Sequence, residues 1–171
     1  IRHFSGIQRR FQIKGENNGI LIVDDNAHHP VEIMATLKAA RTGWGKRIVA
    51  VFQPHRYTRT QALFKDFLTA FYDADVLILT DIYPAGEDRI EGVEAKALFE
   101  GLREYGHKHV TYLGDKKEIV EHLLRIVSPG DLVIILGAGD IWQVSDELVR
   151  SEEPRLNSSH RCSSYAVFCL K

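Results

Sequence analysis

The chain alternates short apolar runs with longer segments in which apolar residues recur at helical spacing. The runs are ILIV (20–23), IVAVF (48–52), VLIL (76–79) and LVIIL (132–136), with HVTYLG (109–114) as a weaker one. Strands that are apolar on both faces and alternate with amphipathic helices are typical of a mostly parallel sheet covered by helices on both faces. The pattern therefore predicts an α/β fold.

A β-hairpin is predicted ahead of the first helix. FQIKGENNGILIVDD alternates apolar and polar residues, turns at Asn18-Gly19 and returns as an apolar run, which is a strong hairpin signal. Pro30 suits the first turn of a helix because its missing N–H has no partner there. Predicted helical stripes are Val31/Ile33/Met34/Leu37/Ala40, Leu63/Phe64/Phe67/Leu68/Phe71, Leu98/Phe99/Leu102/Tyr105, Ile119/Val120/Leu123/Leu124/Val127 and Ile141/Val144/Leu148.

Length and charge narrow the class of protein. At 171 residues and 44% hydrophobic composition, one domain with one sizeable core is expected. A net charge of −1 gives no positive field for nucleic acid, and no apolar stretch is long enough to span a membrane. Both cysteines, Cys162 and Cys169, lie in the last ten residues, which fits a reducing compartment. We expect a soluble, cytoplasmic protein with no nucleic-acid or membrane partner.

Polar residues of unusual type follow four of the predicted strands. They are DDNAHH (24–29), QPHRYTR (53–59), DIYPAGED (81–88) and GAGD (137–140). Ligands of open α/β sheets bind beyond the carboxyl ends of the strands, where loops and helix N-termini converge. The sequence therefore predicts one binding site built from these four loops.

The DDNAHH segment admits several interpretations. Asp25, His28 and His29 are suitable metal ligands, but no further residues are spaced to complete a metal site, as a metal-dependent phosphoesterase would require. An aspartate beside a histidine could serve acid/base chemistry. Alternatively, His29 or Asn26 caps the helix while Asp24 binds loop amides. In the last interpretation the cluster binds a ligand, with a carboxylate on ribose or amine hydrogens and imidazoles on an anion.

The other loops carry weaker signals. Arg56 and Arg59, beside His55, could direct two guanidiniums at one carboxylate or phosphate, or form a basic turn capped by Thr58 or Thr60. GAGD is expected to serve close helix–strand packing. YPAGE supplies a turn, with Tyr83 and Glu87 as possible site contacts. His107, His109 and His122 are expected at the surface, and no G-x-x-x-x-G-K-[ST] motif occurs.

Taken together, DDNAHHPVEI, FQPHRYTRTQALF, DIYPAGED and GAGDIW resemble, in this order, the C-terminal domain of Mur ligases, and specifically of the alanine-adding branch. FSGIQRRFQIKG resembles that family's join between central and C-terminal domains. The resemblance assigns residues 1–10 to the end of an interdomain linker and 11–150 to the domain. Residues 151–171 show no clear period and are expected to be a disordered tail or sequence foreign to the domain.

The resemblance implies a Rossmann-like domain that closes over an ATP-binding central domain. It implies a ligase that uses ATP and Mg²⁺, bound mainly by that central domain, to activate the carboxylate of UDP-N-acetylmuramate as an acyl phosphate for attack by L-alanine. The partners would be the chain's own N-terminal and central domains and small-molecule substrates. A fragment without the phosphate-binding loop is expected to be inactive alone.

The resemblance also implies binding roles for individual residues. Arg10 and Asp25 would contact the nucleotide, and the amino-acid substrate would be held by His28, His29, His55, Arg56 and Arg59. No catalytic residue and no metal ligand is assigned to this chain. Asn26 and Ala27 stand where the family usually has Tyr and Gly, and alanine there is also found in the related ligase that uses murein tripeptide, which is the alternative amino substrate. A stand-alone nucleotide- or anion-binding module is the remaining hypothesis.

Overall fold

A six-stranded sheet forms the centre of the part of the chain that this computed structural model describes, residues 9–151. The strands are β1 (Gln12–Asn17), β2 (Ile20–Asp25), β3 (Ile48–Phe52), β4 (Val76–Leu79), β5 (Val110–Tyr112) and β6 (Leu132–Leu136). The helices are α1 (Pro30–Trp44), α2 (Tyr57–Ala62), α3 (Phe64–Phe67), α4 (Ala95–Glu104), α5 (Lys116–Ile126) and α6 (Trp142–Arg150).

The strands lie in the order β1-β2-β6-β3-β4-β5. β1 pairs antiparallel with β2, and every other pair is parallel. Asn18 and Gly19 join β1 to β2 with φ angles of 50° and 78°, the left-handed backbone that such a two-residue turn requires. The predicted α/β class, the mostly parallel sheet and the N-terminal hairpin are confirmed.

Helices cover both faces of the sheet. From β2 to β5 the chain steps across the sheet in one direction, and the connection to β6 returns in the other. Parallel crossovers are right-handed, so α1 to α4 share one face and α5 lies on the other. α6, which follows the last strand, packs in the same buried cluster as α5. Two buried apolar clusters fill the two interfaces. On the first face, Phe52 packs against Phe67 and Phe71, with ring centroids 5.5 Å and 5.1 Å apart.

Three details of the helix prediction were wrong. The stripe from Leu63 to Phe71 begins at the junction after α2, runs through α3 and ends in the following turn, so it does not form one helix. Val31 and Met34 are exposed because they lie a turn apart on the side of α1 away from Ile33 and Leu37. Tyr105 follows α4 and is exposed.

Two predicted segments fall mostly outside the described residues. Residues 1–8 of the predicted linker and 152–171 of the predicted tail are not among residues 9–151. Within residues 9–151, no helix is both long enough and apolar enough to cross a lipid bilayer.

Candidate functional site

The four polar loops meet at the carboxyl edge of the sheet, as predicted. Gly137 N–H donates to the Asp25 carbonyl at 3.1 Å, which joins the loops after β6 and β2. Gln53 N–H donates to the Leu136 carbonyl at 3.0 Å, joining the loops after β3 and β6. His55 and Tyr83 form an isolated parallel bridge between the loops after β3 and β4. The edge is thus one continuous surface, with two separable groups of side chains.

The first group lines a cleft of about 480 Å³ between α1 and the segment that enters β1. Its lining brings together both residues assigned to the nucleotide, Arg10 and Asp25, although 15 positions separate them in the chain. The other lining residues are Phe11, Asn26, Ala27, Glu32, Ala35, Thr36, Ala39 and Trp44. Phe11 stacks on Trp44 with ring centroids 4.8 Å apart, which gives the cleft an aromatic wall. This volume lies in the range of small-molecule sites.

Asp25 organises the loops around this cleft. Its carboxylate accepts hydrogen bonds from Phe11 N–H and Ala27 N–H, each at 2.7 Å, and from the Thr36 hydroxyl at 3.4 Å. The interpretation in which Asp24 binds the loop amides is wrong. Asp25 takes this role because it lies one residue further along β2, where the side chain faces the amides of the incoming and outgoing segments.

Asp24 is instead paired with Arg9, for which the sequence predicts no role. Arg9 Nε lies 2.9 Å from Asp24 Oδ2, and Arg9 Nη2 donates to the Gly137 carbonyl at 2.7 Å. Asp24 is 1% exposed, so the guanidinium compensates a charge withdrawn from water. The only sequence signal was the double arginine before Phe11.

The second group is aromatic and basic. The rings of His28 and His55 lie 5.5 Å apart, and His55 stacks against Tyr83 at 5.7 Å. Arg59 Nη1 lies 3.2 Å from His55 Nδ1. The structure therefore brings together His28, His55 and Arg59 of the residues assigned to the amino-acid substrate, and adds Tyr83.

The partners of the two imidazoles fix their tautomers. His28 Nδ1 lies 2.7 Å from the Asn26 carbonyl, which can only accept, so this nitrogen carries the proton. Arginine can only donate, so His55 Nδ1 accepts from Arg59 and the His55 proton sits on Nε2. Burial, together with the positive charges of His28, Arg59 and Arg56, lowers the pKa of His55 below 6.5. His55 is therefore held in its neutral form.

The helix-cap interpretation of DDNAHH is correct for one residue. His29 is the N-cap of α1, and the Glu32 carboxylate accepts from the backbone N–H groups of His28 and His29 at 3.2 Å. His29 itself is exposed. His29 therefore lies next to His28 in the chain but makes no observed side-chain contact with the second group.

Arg56 and Arg59 take different partners. Arg56 Nη1 lies 4.0 Å from Glu87, whose carboxylate also accepts from the backbone and hydroxyl of Thr58. The Thr60 hydroxyl donates to the Arg56 carbonyl at 2.8 Å. The interpretation in which Thr58 or Thr60 caps α2 is therefore wrong, and Arg56 is the N-cap residue. Arg56 has a φ of 72° and its N–H donates to the Tyr83 carbonyl, so the loop after β4 holds a strained residue in place.

GAGD packs closely against neighbouring loops, whereas close packing of a helix against a strand was expected. A Cβ on Gly137 would lie 3.1 Å from the Gln53 carbonyl oxygen, and one on Gly139 would lie 2.6 Å from Tyr83 Cγ. Asp140 accepts from Gln53 at 3.0 Å and from Lys116, which ties the loop to α5. Neither Gln53 nor Lys116 was identified from the sequence.

Two of the three histidines expected at the surface are not fully exposed. His107 and His122 are half-buried, and both ring nitrogens of His107 lack a hydrogen-bond partner among the described residues. Burial lowers the pKa of each. Within residues 9–151, no three His, Cys, Asp or Glu side chains are arranged to hold a metal ion.

Comparison with known proteins identifies the family. Residues 9–139 match the Mur ligase family over its glutamate ligase domain. The chain belongs to the Mur ligase family. It is 59% identical over 146 residues to the UDP-N-acetylmuramate–L-alanine ligase of Geotalea uraniireducens, an alignment that covers 85% of this chain and 32% of that protein. The chain thus spans about a third of the length of the curated Mur ligase it matches.

Solved Mur ligase structures share the fold. UDP-N-acetylmuramate-alanine ligase from Thermotoga maritima superposes with a TM-score of 0.69 at 29% identity, over 85% of this chain and 30% of that one. A murein peptide ligase from Psychrobacter arcticus gives the same TM-score over the same shares at 24% identity, which shows the fold alone. The Mur ligase domain is therefore the fold observed for residues 9–151.

Proposed function

We propose that this domain is the C-terminal part of an ATP-dependent ligase that joins L-alanine to UDP-N-acetylmuramate. One observation carries the proposal: a cleft lined by Arg10 and Asp25 and a basic group around His55 lie side by side on one edge of the sheet. A ligase of this kind must hold a nucleotide next to an amino acid. The 59% identity to an alanine ligase supports alanine as the amino substrate.

The nucleotide would lie in the cleft between Arg10 and α1. Asp25 Oδ2 accepts from Phe11 N–H and the Thr36 hydroxyl, whereas Oδ1 accepts only from Ala27 N–H and retains a lone pair that can accept a ribose hydroxyl. Arg10 offers a permanent positive charge to a phosphate. The aromatic wall of Phe11 and Trp44 suits a purine base, since such rings stack favourably.

Alanine would bind beside His55. Its carboxylate needs a cation, which Arg59 supplies because its orientation is fixed by the contact with His55. Arg56, His28 and His29 border the same region and add positive or donor groups. A neutral His55 can present Nε2–H to the carboxylate, because its Nδ1 accepts from Arg59.

ATP and Mg²⁺ would be held mainly by another domain of the whole protein. The sequence contains no G-x-x-x-x-G-K-[ST] motif, so the β- and γ-phosphates need a loop from elsewhere. When bound, ATP supplies the phosphoryl group that activates the carboxylate of UDP-N-acetylmuramate. The residues of this chain bind and orient the nucleotide and the amino acid, and the domain alone is expected to be inactive.

Product analysis tests this proposal. The full-length ligase is supplied with ATP, Mg²⁺, UDP-N-acetylmuramate and either L-alanine or murein tripeptide, and the nucleotide product is identified by mass spectrometry. We expect the alanine adduct with stoichiometric ADP and phosphate. A tripeptide adduct would instead support the murein tripeptide ligase, for which alanine at position 27 is the sequence argument.

A titration separates the stand-alone module from the ligase domain. The isolated chain is mixed with ATP and Mg²⁺ while the NMR signals of His28, His29 and Arg56 are followed. Because the phosphates would lack most of their ligands, we expect weak binding at millimolar concentration. Tight binding together with no ligation by the full-length protein would favour the stand-alone module.

A further inference from the structure

We propose that Arg9 is a positioning residue that locks the entry of the domain onto the sheet and thereby holds Arg10 in the nucleotide cleft. The inference rests on the proposed nucleotide role of Arg10, and concerns a residue with no assigned role. Arg9 itself is absent from the residues that line the cleft, whereas Arg10 and Phe11, which follow it, are both present. Arg9 therefore acts on the nucleotide through its neighbours.

The side chain of Arg9 binds groups at the carboxyl edge of the sheet. Its Nε and Nη2 bind both oxygens of Asp24 at 2.9 Å and 3.4 Å, and Nη2 also donates to the Gly137 carbonyl at 2.7 Å. Nη1 reaches the Gly139 carbonyl at 3.5 Å. One guanidinium thus joins the end of β2 to the loop after β6, a geometry that the planar fork of arginine allows and lysine cannot reproduce.

The backbone around Arg9 is held as firmly as its side chain. The Arg9 carbonyl accepts from Asn26 N–H at 2.7 Å, and Phe11 N–H donates to Asp25 at 2.7 Å. Arg9 and Phe11 have φ angles of 63° and 43°, in the left-handed region that side chains other than glycine rarely adopt. Such a conformation persists only where surrounding contacts enforce it. Without the Arg9–Asp24 pair, the segment is expected to relax and move Arg10 away from Asp25.

Arg47 provides a matched control at the opposite edge of the sheet. Its guanidinium binds Asp131 at 2.8 Å and the Ile126 carbonyl at 3.2 Å. Asp131 is 5% exposed, so it resembles Asp24 in burial, but it precedes β6 and is far from the cleft. Loss of either arginine should therefore lower stability, and only loss of Arg9 should affect the nucleotide.

The test uses steady-state kinetics of the full-length ligase with Arg9→Met, Arg10→Met and Arg47→Met, together with melting temperatures. We expect Arg9→Met and Arg10→Met each to raise the KM for ATP by about tenfold or more, with the KM for alanine changed less than twofold. Arg47→Met should lower the melting temperature and leave both KM values within twofold. The double variant Arg9→Met/Asp24→Asn, which removes the unpaired buried charge, should recover stability without recovering the KM for ATP.

The outcomes distinguish this inference from the proposed function. If Arg10→Met raises the KM for ATP and Arg9→Met does not, the positioning role is overturned and the nucleotide site stands. If the double variant restores the KM for ATP along with stability, Arg9 is only structural and the inference is again overturned. If Arg10→Met leaves the KM for ATP unchanged, the nucleotide role of Arg10 fails, and the role of Arg9 fails with it.

Discussion

Arg59 Nη1 donates to His55 Nδ1 across 3.2 Å, which holds the guanidinium against the unprotonated nitrogen of a neutral imidazole. A protonated His55 would place two donors face to face. Arg59 and His55 are therefore compatible only while His55 is unprotonated, and the pair should respond to pH as a unit.

We predict that His55 titrates below pH 6.5, since burial and the charges of His28 and Arg59 lower its pKa. As the pH falls from about 6.5 towards that lowered pKa, the unfolded chain binds a proton that the folded chain does not, so the free energy of unfolding decreases. NMR titration of the imidazole signals, with His55→Gln for assignment, measures the midpoint.

Substitution of arginines provides the control for this titration. Arg59→Ala removes one positive charge and should raise the His55 midpoint towards 6.5. Arg125→Ala should instead raise the midpoint of His122, because Arg125 contributes to lowering that pKa. A His55 midpoint at or above 6.5 in the unmodified protein would contradict the neutral imidazole.

We predict that Arg59→Ala in the full-length ligase raises the KM for alanine by roughly tenfold to a hundredfold, the effect of losing one charge-assisted hydrogen bond of about 1.5–3 kcal/mol. The KM for ATP should change far less. Arg125→Ala, on α5 and the other face of the sheet, should alter neither value. An unchanged KM for alanine would remove Arg59 from the amino-acid site.

We predict opposite effects on stability for two glycine-to-alanine substitutions. Gly139→Ala would place a Cβ 2.6 Å from Tyr83 Cγ, so it should lower the free energy of unfolding by about 1–3 kcal/mol. Gly43 lies inside α1 with nothing within 4 Å of an added Cβ, so Gly43→Ala should raise it by about 0.5–1 kcal/mol. Urea denaturation measures both, and equal effects would refute the close packing of the loop after β6.

We predict that Tyr112 remains protonated to unusually high pH. Burial, the hydrogen bond to Asp81 and that carboxylate's charge raise its pKa to about 12. The folded chain therefore keeps a proton that the unfolded chain loses near pH 10, and stability should fall as pH rises from about 10 to 12. NMR of ¹³C-labelled tyrosine, with Tyr112→Phe for assignment, measures this. Asp81→Asn should lower the midpoint; an unchanged value would exclude the carboxylate as a cause.

The sequence by itself determined the architecture and the edge of the sheet at which the site lies. The buried runs at 20–23, 48–52, 76–79 and 132–136 can pair only as central strands, and their loops must then meet at the carboxyl edge. Asn18-Gly19 determined the hairpin because few other residues tolerate both left-handed conformations. These features depend on local pattern and backbone preference, which a sequence displays directly.

The tertiary structure alone decided which side chain meets which. The strand order places β6 between β2 and β3, so Arg9 can bind Asp24 and the Gly137 carbonyl together, and Arg10 enters the cleft beside Asp25. The tertiary structure also gives the two arginines different partners, since Arg56 lies near Glu87 and Arg59 binds His55. These pairings join residues up to 128 positions apart. Their geometry depends on distances and angles between packed elements, which no local pattern along the chain specifies.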